Sequence, residues 1–111
     1  MSRSPLGKRL KEARIAKGIS QKQLGILALI DEFTASARMN QYENSKHTPD
    51  YLSLKRIAAI LELPPPYFYA EDDDLAEIIK RYATLNQQQV AYVLEVMKNL
   101  SNNPHNSLLE A

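Results

Sequence analysis

The stretch from Thr48 to Leu61 constrains this chain most. Pro49 interrupts whatever precedes it, and Asp50 offers a carboxylate to cap a new helix. Leu54, Ile57, Ala58 and Leu61 then recur at intervals of three and four. That spacing puts four apolar side chains on one face of an α-helix. A helix with a single apolar stripe is stable only when other elements bury it, so the rest of the chain must supply them.

It does so at the same period. Ser4 reads as a cap and Pro5 as a first-turn residue for a first helix over 5–17. Leu6, Leu10 and Ala13 face inward there, while Lys8, Arg9, Lys11 and Glu12 point elsewhere. Gly18 supplies the stop, because glycine enters the left-handed region cheaply. Ser20 caps a second helix from Gln21, with Leu24, Leu27 and Ala28 inward. The run from Asp31 to Ser36 is rich in cap-forming residues and reads as a connection. A third helix follows over about 36–44, with Met39 and Tyr42 inward and Ser36, Arg38, Asn40 and Gln41 outward. Pro64-Pro65-Pro66 breaks the chain before a short fifth helix over 66–69, whose Tyr67, Phe68 and Tyr69 are expected to close the core. Glu71-Asp72-Asp73-Asp74 precedes a sixth helix over 75–83, where the helix dipole favours negative charge. Asn86 or Thr84 caps a seventh helix to about residue 100. From Ser101 onward, Asn, Pro, His and Ser predict a frayed tail. No segment alternates like a strand and no internal repeat is visible, so the fold class is all-α.

Composition narrows the function. A hydrophobic content of 44% supports a core and argues against a wholly disordered chain. No apolar run approaches the roughly 18 residues of a membrane span. Residues 1–14 carry charges too closely spaced for a signal peptide, and cysteine is absent. These features fit a cytoplasmic protein without membrane partners. The net charge of +1 hides an asymmetry: residues 1–56 hold 11 Lys/Arg and 5 Asp/Glu, a balance of +6, whereas residues 57–111 hold 3 and 8, a balance of −5. A basic front half is the electrostatic footprint of phosphate neutralisation.

Three segments, taken in order, resemble a known family. Gly18-Ile19-Ser20-Gln21-x-x-Leu24, then Met39-Asn40-Gln41-Tyr42-Glu43-Asn44-x-Lys46, then Pro49 followed by Leu54, Ile57, Ala58 and Leu61, look like the Xre/Cro-type helix-turn-helix regulators, which include the lambdoid phage repressors. The resemblance covers residues 6–69. It implies a five-helix lambda-repressor-like DNA-binding domain over 1–69, followed by two C-terminal helices over 70–100 for dimerisation and a tail over 101–111. The third helix would enter the major groove of double-stranded DNA. Its Arg38 can hold guanine, and Asn40 or Gln41 adenine, each through paired hydrogen bonds. Ser36 and Ala37 complete the reading surface. Phosphate contacts are expected from Gln21, Lys22, Asn44 and Lys46, with His47 beside them. The family pattern also pairs Arg14 with Glu43, a structural ion pair that orients the third helix. Two positions depart from the pattern: Leu29 stands at the turn glycine, and Gly25 at the alanine that packs against the third helix. About four extra residues lie within 31–35, either lengthening the second helix or forming a loop, and Phe33 there either plugs the core or touches DNA.

The back half supplies a second apolar surface. Val90, Val93, Leu94, Met97 and Leu100 share one face of the last helix, widened by Tyr92 and Val96. These residues are the expected interface of a homodimer on a palindromic operator. The alternative function is an antitoxin or adaptor that binds another protein through these helices. No cofactor or metal is expected: His47 and His105 are isolated, and Asp72–Asp74 lack the glycine turn and distal glutamate of a calcium loop. No nucleophile–base arrangement is visible, so an enzyme is not expected.

Overall fold

A computed structural model of the chain describes residues 4–102. Within them lie six α-helices and one 3₁₀ helix, and no strand: α1 (Leu6–Lys17), α2 (Gln21–Leu27), α3 (Ala35–Glu43), α4 (Tyr51–Leu61), the 3₁₀ helix (Pro65–Tyr69), α5 (Asp73–Tyr82) and α6 (Gln87–Asn102). The all-helical expectation holds. The predicted fifth helix is the 3₁₀ turn, and the acidic run is partly inside α5 rather than wholly before it. Ser101 and Asn102 continue α6 instead of starting a tail, and His105 and the rest of that tail lie outside the described residues.

The core is built from the predicted stripes. Leu6, Leu10, Leu24, Met39, Tyr42, Leu54, Ile57, Ala58, Leu61 and Phe68 form one buried cluster. Phe68 is fully enclosed and meets Tyr67 edge-on at 5.3 Å, whereas Tyr69 is exposed. Leu27, expected inward, is also exposed. Its helix has only seven residues and ends there, so the inner face is spent on Leu24 and Ala28.

The starts of α2, α4 and α6 follow the predicted chemistry, whereas α3 starts after Thr34 with no side-chain cap bond. Ser20 and Gln23 form a reciprocal capping box at α2, with Ser20 Oγ accepting from the Gln23 amide at 3.0 Å and Gln23 Oε1 from the Ser20 amide at 2.8 Å. Asp50 accepts from the Ser53 amide at 2.8 Å, and Asp72 from that of Leu75 at 2.9 Å. Asn86, rather than Thr84, caps α6 through a second reciprocal pair with Gln89. At α1 the cap position is Pro5 itself, and Ser4 Oγ accepts from the Leu6 amide at 3.3 Å.

Helices α1 to α4 all end in the same way. The left-handed residues are Gly18, Leu29, Ser45 and Glu62, with φ between 58° and 78°. At each, that residue's amide bonds three residues back and the next amide bonds five back, as in Ile30 N to Gly25 O at 2.9 Å and Lys46 N to Gln41 O at 2.9 Å. This is the Schellman stop, which satisfies carbonyls that the helix end would otherwise orphan.

Two close approaches seat α3. A methyl group on Gly25 would lie 2.7 Å from the Ala35 Cβ, so glycine lets the start of α3 rest directly on α2. A methyl group on Gly7 would lie 2.6 Å from the Glu43 carbonyl oxygen, so α1 presses equally close to the end of α3.

Arg9 departs most from expectation. Its position off the apolar stripe predicts exposure, yet it is only 5% exposed. Its Nε donates to the Ala70 carbonyl at 2.9 Å and its Nη2 to the Glu71 carbonyl at 3.2 Å. Its Nη1 lies 3.1 Å from Asp73 Oδ1, and the guanidinium stacks over Tyr67. Burying a guanidinium is tolerable only with such complete pairing.

Candidate nucleic-acid interface

Nine residues of α3 span about 13 Å at 1.5 Å per residue, a length that suits a major groove about 12 Å wide. Met39 and Tyr42 are buried and dock this helix on the core. Ser36, Ala37, Arg38 and Asn40 are exposed on its other side, and Gln41 is half-buried. Arg38 and Gln41 line a polar cleft of about 280 Å³ together with Tyr42, His47 and Thr48. Thr48, which the sequence marks only as a helix boundary, joins this cleft because the chain reverses after Ser45, which no glycine announces.

The helix is locked at its C-terminal end by a buried carboxylate. Glu43 is 8% exposed. Arg14 grips it in a fork, Nε to Oε2 at 2.6 Å and Nη2 to Oε1 at 3.1 Å, and also donates to the Ile19 carbonyl at 3.0 Å. The two parallel N–H bonds fix distance and orientation together. Gln21 joins this network: its Nε2 donates to Glu43 Oε1 at 3.0 Å. The side chain expected on phosphate is thus engaged with the anchor of α3. Lys22 and Lys46 are exposed on either side of the helix in sequence, and Asn44 Nδ2 donates to Asn40 Oδ1 at 2.9 Å. That bond restrains an amide whose edge matches adenine.

The extra residues between α2 and α3 form a loop, not an extension of α2. It runs from the left-handed Leu29 through a turn closed by Thr34 N to Asp31 O at 3.0 Å. Asp31 Oδ2 accepts from the Phe33 amide at 3.1 Å. Ile30 packs against the core, but Phe33 does not plug it: its side chain is 89% exposed, two residues before α3 begins.

Among the described residues no group of three or more His, Cys, Asp or Glu is arranged to hold a metal ion. Among them also, no helix is long and apolar enough to cross a membrane.

On the apolar face of α6, Val93, Leu94 and Met97 are exposed, Val90 and Leu100 are half-buried, and no residue of that helix is fully buried.

No protein-family model matches the chain, and no curated protein matches it. Among solved structures it is similar to the crystal structure of the transcriptional regulator BswR, with a TM-score of 0.78 and 42% sequence identity. The match covers 86% of this chain and 96% of that one. Identity at this level over nearly the whole length of the neighbour means that the chain belongs to the family of the transcriptional regulator BswR.

Proposed function

We propose that this protein is a sequence-specific DNA-binding regulator of transcription, an Xre/Cro-type repressor that binds a palindromic operator as a homodimer. The observation that carries the reading is the construction of α3. Its apolar side is sunk in the core, its end is clamped by Arg14 and Glu43, and a polar side made of Ser36, Arg38, Asn40 and Gln41 is left outward. That is what a groove-reading helix requires: fixed orientation and side chains with paired donors and acceptors.

The operator's symmetry follows from α6. A helix of 16 residues that buries none of them within one chain has little to stabilise it in water. Its apolar residues at 90, 93, 94, 97 and 100 lie on one face, and a second copy of the same face is the partner that closes it. Two reading helices related by a two-fold axis then meet two half-sites about one DNA turn apart. A bound dimer over a promoter excludes polymerase, which is repression. Lys22, Asn44 and Lys46 anchor the phosphates in this reading.

Selection of bound sequences from random duplex DNA tests it. The expected result is a palindromic motif, with binding that weakens steeply as salt rises. Arg38→Ala should lose about 1–3 kcal/mol of base discrimination at one position per half-site while the fold persists. Absence of any enriched motif would sink the proposal.

A further inference from the structure

We infer that Arg9 is a positioning residue that sets the angle between the DNA-reading helices and the α5–α6 unit, and with it the half-site separation that the dimer accepts. The inference rests on the proposed dimeric reading of DNA, and deepens it.

The geometry around Arg9 is specific to that task. Of its three partners, Ala70 and Glu71 lie in the segment that joins the 3₁₀ helix to α5, and Asp73 is the first residue of α5. Two of them are backbone carbonyls, so the guanidinium fixes the path of the chain rather than a side chain. Its planar fork holds direction as well as distance. Beyond this root, α5 has little lateral support. Ala76 is its one buried residue. On one side a cleft of about 490 Å³ opens between Lys80, Ala83 and Thr84 and the ends of α1 and α4. On the other an apolar groove of about 450 Å³ separates Leu75 and Ile79 from Tyr51 and the proline turn. A helix held at one end with open space on both sides takes its direction from that end.

The same α1 also carries Arg14, which clamps α3 through Glu43. Arg9 and Arg14 stand about 140° apart round the helix and about 7.5 Å apart along it. One rigid helix therefore links the reading surface on one side to the dimerisation unit on the other. The lever is sensitive. A tilt of about 10° at the root moves the far end of the ten-residue α5 by about 2.6 Å. Two protomers tilting in opposite senses add to about 5 Å, more than the roughly 3.4 Å rise of one base pair.

Two measurements on the full chain test this. The first needs no DNA. The sequence has no cysteine, so Lys55→Cys in α4 and Lys98→Cys in α6 provide two spin-label sites, read with labelled chains diluted in unlabelled protein. Arg9→Lys keeps the charge and loses the fork; it should broaden the label-to-label distance distribution. Should that variant fail to fold, Asp73→Asn severs only the exposed partner and should broaden the distribution by less. Unchanged widths in the folded variants would overturn the inference. The second uses the selected operator with its half-sites moved apart or together by one and two base pairs. Wild type should lose about 100-fold in affinity off the preferred spacing, and Arg9→Lys less than about tenfold, with dimerisation and single half-site binding retained. Full spacing discrimination by a folded Arg9→Lys dimer would also overturn it. Failure to find an operator would sink the regulator reading and leave the distance measurement to decide the role of Arg9.

Discussion

Leu29 occupies a backbone conformation that leucine adopts at a cost. Its φ is 69°, and its side chain is 75% exposed, so little burial offsets the strain. The left-handed conformation costs an L-residue about 1–2 kcal/mol, and glycine at the same place gives back about 0.5–1 kcal/mol through the freedom it adds to the unfolded chain. Leu29→Gly is therefore expected to stabilise the protein by about 0.5–1 kcal/mol, read as a higher urea midpoint with an unchanged slope. A lowered midpoint would mean that the leucine side chain contributes to the fold despite its exposure. Phe33, exposed on the same loop, adds apolar surface beside α3 rather than filling the core.

Most helix starts are announced by the sequence, whereas of the four left-handed stops only Gly18 is. Ser20, Asp50 and Asn86 are legible caps because a short side-chain oxygen at the right offset has one obvious use. The stops at Leu29, Ser45 and Glu62 carry no such mark, since none of these residues is the glycine that the left-handed region favours. The polar side of α3 was legible because Met39 and Tyr42 fix the helix's rotation. Arg9 was not, because its acceptors lie 61 and 62 residues away and an arginine off an apolar stripe looks solvated. The bond from Gln21 to Glu43 was hidden for the same reason: its partner is on another helix. The cap at α4 gives a pH prediction. Hydrogen bonds from the Ser53 backbone and side chain hold the Asp50 carboxyl below its ordinary value of 3.8, and Arg56 adds a weaker pull. A carboxyl depressed in the folded state contributes stability that is fully present above 3.8 and lost as pH falls through the folded value. Asp50→Asn keeps a cap and removes the titration, so denaturant melts at pH 6 and pH 3 should show a smaller acid loss in the variant than in wild type. Equal losses would place the acid sensitivity elsewhere.

At the scale of the whole molecule, charge divides along the chain. The balance of +6 in residues 1–56 belongs with α1 to α3 and the start of α4, and the balance of −5 with the remainder. The molecule is elongated, 56 × 35 × 23 Å. If α6 joins two copies, a charge on its apolar face should separate them. Leu94→Asp is expected to give a monomer by sedimentation, with an affinity for the full operator about 100-fold lower or more and nearly unchanged binding to an isolated half-site. A dimer that survives the substitution would move the interface off this face.

The buried guanidinium of Arg9 also governs how the molecule can be cut. By its apolar core alone, the reading portion is complete at Phe68, and residue 69 looks like its natural boundary. A fragment ending there would keep every large core side chain and strip Arg9 of both carbonyls and its carboxylate. The autonomous unit is therefore expected to end after the first turn of α5, with residue 76 included for the buried alanine. Thermal melts of fragments 1–69 and 1–77 should differ by several degrees in favour of the longer, although the added residues bring almost no apolar bulk. The independence of this piece is thus set by one cation at its edge that must be answered, more than by how much oil it encloses.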